Sequence, residues 1–263
     1  MFVVLAYTHD AGARALVQRW RADGEEAALL TCADLSRPGW RYVAGAAPGH
    51  AVIDGQMIAT REIRAVITRI PAVGEAELAH VHEEDRRYAV AEMQAFLLAW
   101  LMSLKCPVLN RPSPSNLAGP LWSSAQWVQR ARRLALAARP VKQHAVYTPG
   151  AASATECRVA ANATFVDVVG DRAFLVGGRS PGADEAPLAE AAIALARDAG
   201  VEMLRVYFEP SSDQTPVFLE ASIWIDIAAE TVAEALLDRC RGFVHAPRKP
   251  PAVRMVASAA ESA

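Results

Sequence analysis

The stretch PVFLEASIWID, residues 216–226, contains an apolar run typical of a buried β-strand, with one carboxylate, Glu220, inside it. Burying an unpaired carboxylate is costly, so Glu220 needs a cationic partner, a metal ion or a substrate. Which of these it has decides whether the strand belongs to a working catalytic centre. The rest of the sequence bears on that choice.

The composition is that of a globular protein with little overall charge. Of 263 residues, 52% are hydrophobic and 21% are charged, and the formal net charge is −2. This length accommodates one large or two modest domains. The small net charge gives no long-range field that would gather nucleic acid or an anionic membrane. Lysine occurs only at Lys105, Lys142 and Lys249, which limits any chemistry that depends on it.

The sequence indicates a cytoplasmic protein. The N-terminal residues 1–10 lack a basic region and predict a first strand rather than a signal peptide. The most apolar stretch, residues 88–104, includes Glu92 and Gln94 and is too short for a membrane span. The cysteines are scattered and form no CxxC pair, so we predict that they are reduced core residues rather than disulfide partners or zinc ligands. They are Cys32, Cys106, Cys157 and Cys240.

The first half of the chain alternates predicted strands and helices. Residues 2–7 and 26–32 are predicted strands on either side of a helix over 10–24. The further predicted elements are a hairpin turning at Asp54–Gly55, a strand over 63–70, a helix over 83–104 and a short strand over 106–110. Alternation of this kind indicates a parallel sheet covered by helices on both faces.

After Pro140 the pattern changes to hairpins and shorter helices. A helix over 123–139, with Ser123 and Gln126 as a capping box, precedes the change. The elements predicted after it are a hairpin over 163–178, a helix over 186–200, strands over 203–210 and 216–224, and a helix over 228–242. We therefore expect an α/β protein with a parallel-sheet domain over 1–122 and a smaller α+β lobe over 123–242. A disordered or loosely packed tail is expected over 243–263.

Several motifs occur in an order that resembles the ATP-grasp superfamily, particularly its glutamate-ligase-like and peptide-maturase branch. They are CPVLNRPSP (106–114), the hairpin FVDVVGDRAF (165–174) and the ending GVEMLRVYFEP…PVFLEAS (200–222). The resemblance covers most of residues 1–242. It implies a preATP-grasp-like parallel-sheet domain joined to a reduced ATP-grasp-like α+β lobe.

The resemblance also implies a chemistry and its cofactors. The family joins a carboxylate to an amine through an acyl phosphate made from ATP, with Mg²⁺ held by oxygen ligands and lysines against the phosphates. Glu220 stands at the family's glutamate ligand. Two positions on, Ser222 replaces an asparagine, and Tyr207 stands where the preceding strand of the family has an aspartate.

Other residues could supply the metal ligands that these replacements remove. Glu209 and Asp213 lie near Tyr207 in the sequence and are candidate metal ligands beside Glu220. Lys142 is the candidate for a phosphate contact, because the segment that would carry the family's lysines is short here.

Glu220 also has a structural interpretation. A carboxylate in a buried strand can cap a neighbouring strand, or it can pair with an arginine such as Arg205 or Arg172. One carboxylate by itself does not make a tight magnesium site.

The loop after the strand at 106–110 is a candidate binding loop. Ligands bind beyond the carboxyl ends of strands in open α/β sheets, and this loop has prolines and polar side chains at such an end. The residues that could bind a carboxylate or a peptide are Asn110, Arg111, Ser113, Ser115 and Asn116. The alternative is a loop stiffened only to turn the chain.

The segment HVHEED, residues 80–85, gathers two histidines and three carboxylates and invites a metal hypothesis. Because it leads into a helix, the acidic residues are placed to interact with the positive end of that helix. We interpret the segment as structural.

The sequence supports functions of different classes. The first is a protein that has lost ligase chemistry and binds a peptide or a partner enzyme as an accessory protein in a peptide or natural-product modification pathway. The second is an active ATP-dependent carboxylate–amine ligase with relocated magnesium and phosphate ligands. A structural homodimer subunit is a third, because preATP-grasp regions often lie near subunit contacts in the family.

Overall fold

Secondary structure follows the sequence pattern closely in the first half of the chain. A computed structural model describes residues 1–45, 49–139, 163–175, 178–209 and 215–245. The first elements are β1 (Phe2–Leu5), α1 (Ala11–Ala22), β2 (Ala27–Leu30), α2 (Cys32–Leu35), β3 (His50–Ile53), β4 (Gln56–Ala59), β5 (Ala65–Thr68), α3 (Glu83–Ser103) and β6 (Val108–Leu109). The four-residue helix α2, which begins with a capping box of Thr31 and Asp34, was not predicted.

The second half contains the remaining helices and strands. They are α4 (Ser124–Arg133), β7 (Ala137–Ala138), β8 (Thr164–Val169), β9 (Arg172–Phe174), α5 (Ala186–Ala199), β10 (Met203–Glu209), β11 (Val217–Ser222) and α6 (Glu230–His245). Helix α6 continues to His245, past its predicted end at residue 242. Helix α5 ends as predicted at Gly200, which has the left-handed conformation that favours glycine.

Helix α4 ends at Arg133, so the prediction of a helix up to Arg139 was wrong. Ala135 has a φ of 58°. The N–H groups of Ala135 and Leu136 donate back to carbonyls of the last helical turn at 3.0 Å each, which is the Schellman pattern of a helix end. Alanine and leucine are good helix formers, so the sequence contains no stop signal here.

The parallel sheet has the strand order β2-β1-β5-β6 and is covered on both faces. On one face Phe2 packs with Trp20 of α1 and Leu236 of α6. On the other face Val3 packs with Trp100 of α3. Because both faces are covered, every residue of β1 is buried and its sequence shows no polar alternation.

The second sheet has the strand order β7-β11-β10-β8-β9 and two unlike faces. Val166, Val206 and Phe218 face α4 and α5 in an apolar cluster. Side chains alternate along a strand, so the intervening residues of β8, β10 and β11 form a second, polar face. The two sheets with their helices confirm the predicted α/β class with a separate α+β lobe.

Asn110 joins the two sheets. It follows β6, is 0% exposed, and its Oδ1 accepts hydrogen bonds from the N–H groups of Glu202 and Met203 at 2.7 and 2.8 Å. Its Nδ2 donates to the Met203 carbonyl at 2.9 Å. Thr68 of β5 helps to hold the end of β6 in place, because its hydroxyl donates to the carbonyls of Leu109 and Asn110 at 3.1 and 2.8 Å. The start of β10 is thereby held against the end of β6.

Helix α6 makes a second connection between the two parts of the chain. The indole Nε1 of Trp20 in α1 donates to the Ala233 carbonyl in α6 at 3.1 Å. Sequence assigned α6 to the second domain, yet it covers one face of the first sheet. The proposed boundary between residues 122 and 123 stays a prediction.

The described cysteines are unbridged. Burial, with a smaller contribution from Glu77, raises the pKa of Cys32 to about 12. Burial likewise raises the pKa of Cys240 to about 12. Thiols of this kind are inert packing groups. Cys106 is half-buried, and Cys157 lies outside the described residues.

Replacing Asn110 by alanine should lower the free energy of unfolding by about 3 kcal/mol, because two N–H groups and one carbonyl would stay buried without partners. Urea denaturation measures this loss. Asn116→Ala is the matched control: Asn116 is equally buried, but its Oδ1 accepts one bond, from the Ala118 N–H at 2.7 Å. We expect it to cost about 1 kcal/mol. Equal losses for the two variants would contradict the assigned role of Asn110.

Candidate functional site

Glu220 lies on the polar face of the second sheet, directly opposite Tyr207 of β10. It is 9% exposed. Its Oε1 accepts a hydrogen bond from the Ala221 N–H at 3.1 Å, whereas its Oε2 is buried and has no hydrogen-bond partner among the described residues. The pairing register shifts between Tyr207 and Phe208, and such bulges redirect side chains. Glu220 therefore presents an unused carboxylate oxygen to this face.

The two arginines suggested as partners of Glu220 bind other carboxylates, so that prediction was wrong. Arg205 pairs with Asp167 of the neighbouring strand β8. Arg172 pairs with Asp238 of α6 at 3.2 Å. In each case a carboxylate on a neighbouring element lies within reach of the guanidinium.

The Arg205–Asp167 ion pair occupies the polar face between β8 and β10. The Nε–Oδ1 and Nη2–Oδ2 distances are 2.6 and 2.7 Å, and the two side chains are 19% and 4% exposed. The guanidinium lies over the Phe165 ring, 4.1 Å from its centroid. Burial lowers the pKa of Arg205, but the hydrogen bonds and charges of Asp167 and Tyr207 outweigh it and raise the pKa. Arg205 is thus charged, and its charge is balanced by Asp167.

Asp167 was not among the site residues predicted from the sequence. It lies inside TFVDVV, an apolar strand with one carboxylate, just as Glu220 lies inside VFLEAS. The signal that drew attention to Glu220 was therefore present in β8 as well. The Asp226 N–H also lies 3.5 Å from Asp167 Oδ2, which connects the segment after β11 to the ion pair.

The other predicted metal and phosphate ligands are paired or lie outside the described residues. Glu209 accepts two hydrogen bonds from Arg139, one of them from Nε to Oε2 at 2.7 Å. Asp213 and Lys142 lie outside the described residues. Metal binding by Glu209 stays a prediction, and it would require Arg139 to release the carboxylate.

The predicted binding loop divides into buried and exposed residues. Asn110, Ser113 and Asn116 bond to backbone groups: the Ser113 hydroxyl donates to the Gly119 carbonyl at 3.0 Å, and both asparagines are buried. Their polar atoms maintain the loop and its junction with β10. Arg111 and Ser115 are exposed. Ligand binding by the loop stays a prediction, and these two are its available side chains.

Arg69, which the sequence interpretation missed, links the parallel sheet to the second sheet. It follows β5, and its Nε donates to Asp10 Oδ2 at 2.8 Å while Nη1 donates to the Ile225 carbonyl after β11 at 3.2 Å. Its guanidinium lies 5.7 Å from the centroid of the Trp224 ring. The end of β11 therefore lies at the carboxyl edge of the parallel sheet, where open α/β folds bind ligands.

The histidines of HVHEED do not form a metal centre in the described part of the chain. His80 Nε2 lies 2.8 Å from the Ser36 hydroxyl, and residues 83–85 form the first turn of α3. Within the described ranges, no group of three or more histidine, cysteine, aspartate or glutamate side chains is arranged to hold a metal ion.

The oxygen atoms available on the polar face can be compared with the ligands that Mg²⁺ requires. The ion takes near-octahedral oxygen ligands and is usually bound through one or two carboxylates plus substrate phosphates. Here Glu220 offers one unpaired oxygen beside Tyr207, and the Ser222 hydroxyl already accepts from the Trp224 N–H at 3.2 Å. Arg205 brings a positive charge to the same face. By themselves, the described residues do not fit a magnesium–nucleotide complex.

Solved structures with a similar fold include a macrocyclase and ATP-grasp ligases. The chain superimposes on the macrocyclase MdnC of Microcystis aeruginosa MRC, solved with the precursor peptide MdnA, with a TM-score of 0.60, 12% identity, and coverage of 90% of this chain and 99% of MdnC. For the ATP-grasp ligase PsnB, solved with the precursor peptide PsnA2 and AMPPNP, the TM-score is 0.61 at 16% identity, over 91% of this chain and 98% of PsnB.

A third structure agrees. It is the RiPP-associated ATP-grasp ligase of Chryseobacterium gregarium, solved with ADP and a leader and core peptide, with a TM-score of 0.58, 11% identity, and coverage of 94% of this chain and 97% of that one. No protein-family model and no curated protein matches the sequence. The likeness confirms, at the level of fold, the predicted resemblance to ATP-grasp peptide maturases.

Asp167→Ala should lower the free energy of unfolding by about 3–5 kcal/mol, because it leaves the Arg205 guanidinium buried without its partner. The matched control is Asp238→Ala, which breaks the exposed pair with Arg172 and should cost less than about 1 kcal/mol. Urea denaturation of both variants checks the difference. If Asp167→Ala lowered the free energy of unfolding as little as the control does, the buried Arg205 guanidinium would not need Asp167 as its partner.

Proposed function

We propose that this chain has lost ligase chemistry and acts in the cytoplasm as a peptide-binding accessory protein of a peptide-modification pathway. The observation that carries the proposal is the Arg205–Asp167 pair. It occupies the strand face that carries Glu220, which stands at the magnesium ligand of the resembled family. Among the described residues of that face, only Glu220 keeps a carboxylate oxygen without a partner.

Electrostatics supports the loss of nucleotide chemistry. A triphosphate with its metal ions needs several anionic oxygen ligands for the metal and free cations for the phosphates. On the described polar face, Asp167 and Glu209 are each engaged by an arginine, and those arginines are in turn neutralised. Opposite Glu220 stands Tyr207, which brings no second carboxylate to this position.

Peptide binding is supported by the fold and by the exposed loop. MdnC and PsnB are structural neighbours solved with precursor peptides. In this chain Arg111 is exposed beyond the end of β6, and no described residue forms an ion pair with it. Its guanidinium can bind a peptide carboxylate in a bidentate manner. An acidic surface segment of a partner enzyme could bind to the same guanidinium.

An active ATP-dependent carboxylate–amine ligase is the second candidate. It is favoured by the buried, unpartnered Oε2 of Glu220, because a buried polar group without a partner calls for an explanation such as an ion. In that candidate Asp213 and Lys142 would complete the magnesium and phosphate contacts.

Thermal unfolding with and without Mg-ATP separates the two candidates. We expect no shift, because the described face lacks the ligands for the metal. An active nucleotide site at 100 times its dissociation constant would add about 2.7 kcal/mol of stability. Glu220→Gln is the test variant, and Glu230→Gln, at an exposed residue paired with Arg19, is its control. A shift in the wild type that Glu220→Gln alone abolishes would establish the ligase candidate and refute the proposal.

Peptide binding is tested with a fluorescently labelled precursor peptide encoded by a neighbouring gene. Arg111→Ala should weaken its binding about tenfold or more, because a charge-assisted hydrogen-bonded pair is lost. Arg132→Ala, at an exposed arginine on α4, is the control and should leave the affinity unchanged. Fluorescence anisotropy gives both dissociation constants. Equal effects of the two variants, or no binding by the wild type, would contradict the assignment of this loop.

A further inference from the structure

Two buried side-chain polar atoms in the described part of the chain have no hydrogen-bond partner. They are Trp100 Nε1 and Glu220 Oε2. The Trp100 indole is neutral and meets the Trp40 ring in a T-shaped contact, with 5.3 Å between the ring centroids. Glu220 is an acid, and a buried carboxylate without a partner costs far more than a buried neutral N–H group. Of the two atoms, Glu220 Oε2 is therefore the one that indicates a ligand.

The charges on the polar face of the second sheet call for one more positive charge. Each of β8, β10 and β11 places one carboxylate on this face. Asp167 is neutralised by Arg205 and Glu209 by Arg139, whereas no described residue forms an ion pair with Glu220. The described carboxylates are not grouped to hold a metal ion. A single monovalent cation at Glu220 completes the charge balance.

An aromatic row beside Glu220 indicates the kind of cation. Tyr207 lies directly opposite Glu220, and Phe165 lies opposite Tyr207 on the next strand. The two ring centroids are 6.0 Å apart, and both side chains are half-buried. Arg205 already lies over the Phe165 ring, so the Tyr207 ring is the one left for a ligand. Ring faces attract organic cations, whereas Mg²⁺ binds oxygen ligands and keeps several water molecules.

The depth of Glu220 selects among organic cations. Because the residue is 9% exposed, only a slender group reaches its Oε2. A lysine side chain is a compact charge on a flexible stem, with three hydrogen-bond donors. The Ser222 hydroxyl accepts from the Trp224 N–H and has a second lone pair for one of these donors. An arginine guanidinium prefers both oxygens of a carboxylate, and Glu220 Oε1 already accepts from the Ala221 N–H.

We propose that Glu220 binds the ammonium group of a lysine side chain in the peptide that this chain recognises. The inference rests on the proposed function, because it takes the ligand to be a peptide. No covalent bond forms or breaks: the ammonium group stands, as a single positive charge, where the resembled family holds a magnesium ion. Together with Arg111, which binds a carboxylate in the proposed function, Glu220 makes the chain selective for a peptide with both a basic and an acidic residue.

NMR titration of the full chain with n-butylammonium chloride tests the site, since this ion is the end of a lysine side chain. The Ala221 N–H donates to Glu220 Oε1 at 3.1 Å, so its amide signal reports on that carboxylate. At constant ionic strength the signal should move and saturate. The neutral isostere n-butanol should leave it in place.

Glu220→Gln should abolish this response of the Ala221 signal, because the charge that holds the ammonium group is gone. Glu230→Gln, at an exposed carboxylate paired with Arg19, is the matched control and should respond as the wild type does. Unchanged circular dichroism shows that both variants are folded. A wild type without a saturable response, or an equal response in Glu220→Gln, would overturn the proposal. Saturation of the same signal by Mg²⁺ at lower concentrations would overturn it as well, because it would reveal a metal site.

The labelled precursor peptide separates this inference from the proposed function. Replacing its lysines by norleucine, which keeps the stem and removes the charge, should raise the dissociation constant of the wild type about tenfold or more. The same replacement should have little effect on binding to Glu220→Gln. Equal binding of the two peptides by the wild type, or binding of a precursor that contains no lysine, would overturn the inference and leave the proposed function standing. No binding of either peptide would contradict the proposed function, while the n-butylammonium titration would still decide whether Glu220 binds an ammonium group.

Discussion

The buried side-chain amide of Asn110 holds the two sheets in the arrangement on which the candidate site depends. Its three hydrogen bonds to the backbone at the start of β10 tie the second sheet to the end of β6. In a buried junction, unpaired backbone groups are costly, so an amide that both accepts and donates suits this position well. Arg69 adds a polar connection at the same edge, from β5 to the segment after β11. The polar face of the second sheet consequently lies beside the loops at the carboxyl ends of the parallel strands.

Arginines bind most of the carboxylates that the structure describes on that polar face. Asp167 and Glu209 lie on the same side of the sheet as Glu220, but the described carboxylates are not arranged to hold a metal ion together. Arginines at positions 205 and 139 bind two of them instead. The buried Asp167 is thereby neutralised within the protein, whereas Glu220 keeps a buried oxygen that has no partner among the described residues.

The sequence by itself determined the order and type of most elements, because these depend on local signals. Unbroken apolar runs predicted the parallel strands, Ser123 marked the start of α4, and Gly200 marked the end of α5. It also identified Glu220 as an unusual buried carboxylate. It did not locate the end of α4, since Ala135 adopts its left-handed conformation in an alanine-rich segment that offers no local stop signal.

Tertiary structure alone decided the pairing of charges. Arg205 lies opposite both Asp167 and Ser222 because β10 pairs with β8 on one side and β11 on the other, and that strand order joins residues far apart in the chain. The same holds for Asn110, whose polar side chain suggested a ligand contact until the structure placed it between two sheets. Local sequence fixes where a polar group stands along its strand, but its partner depends on which strands become neighbours.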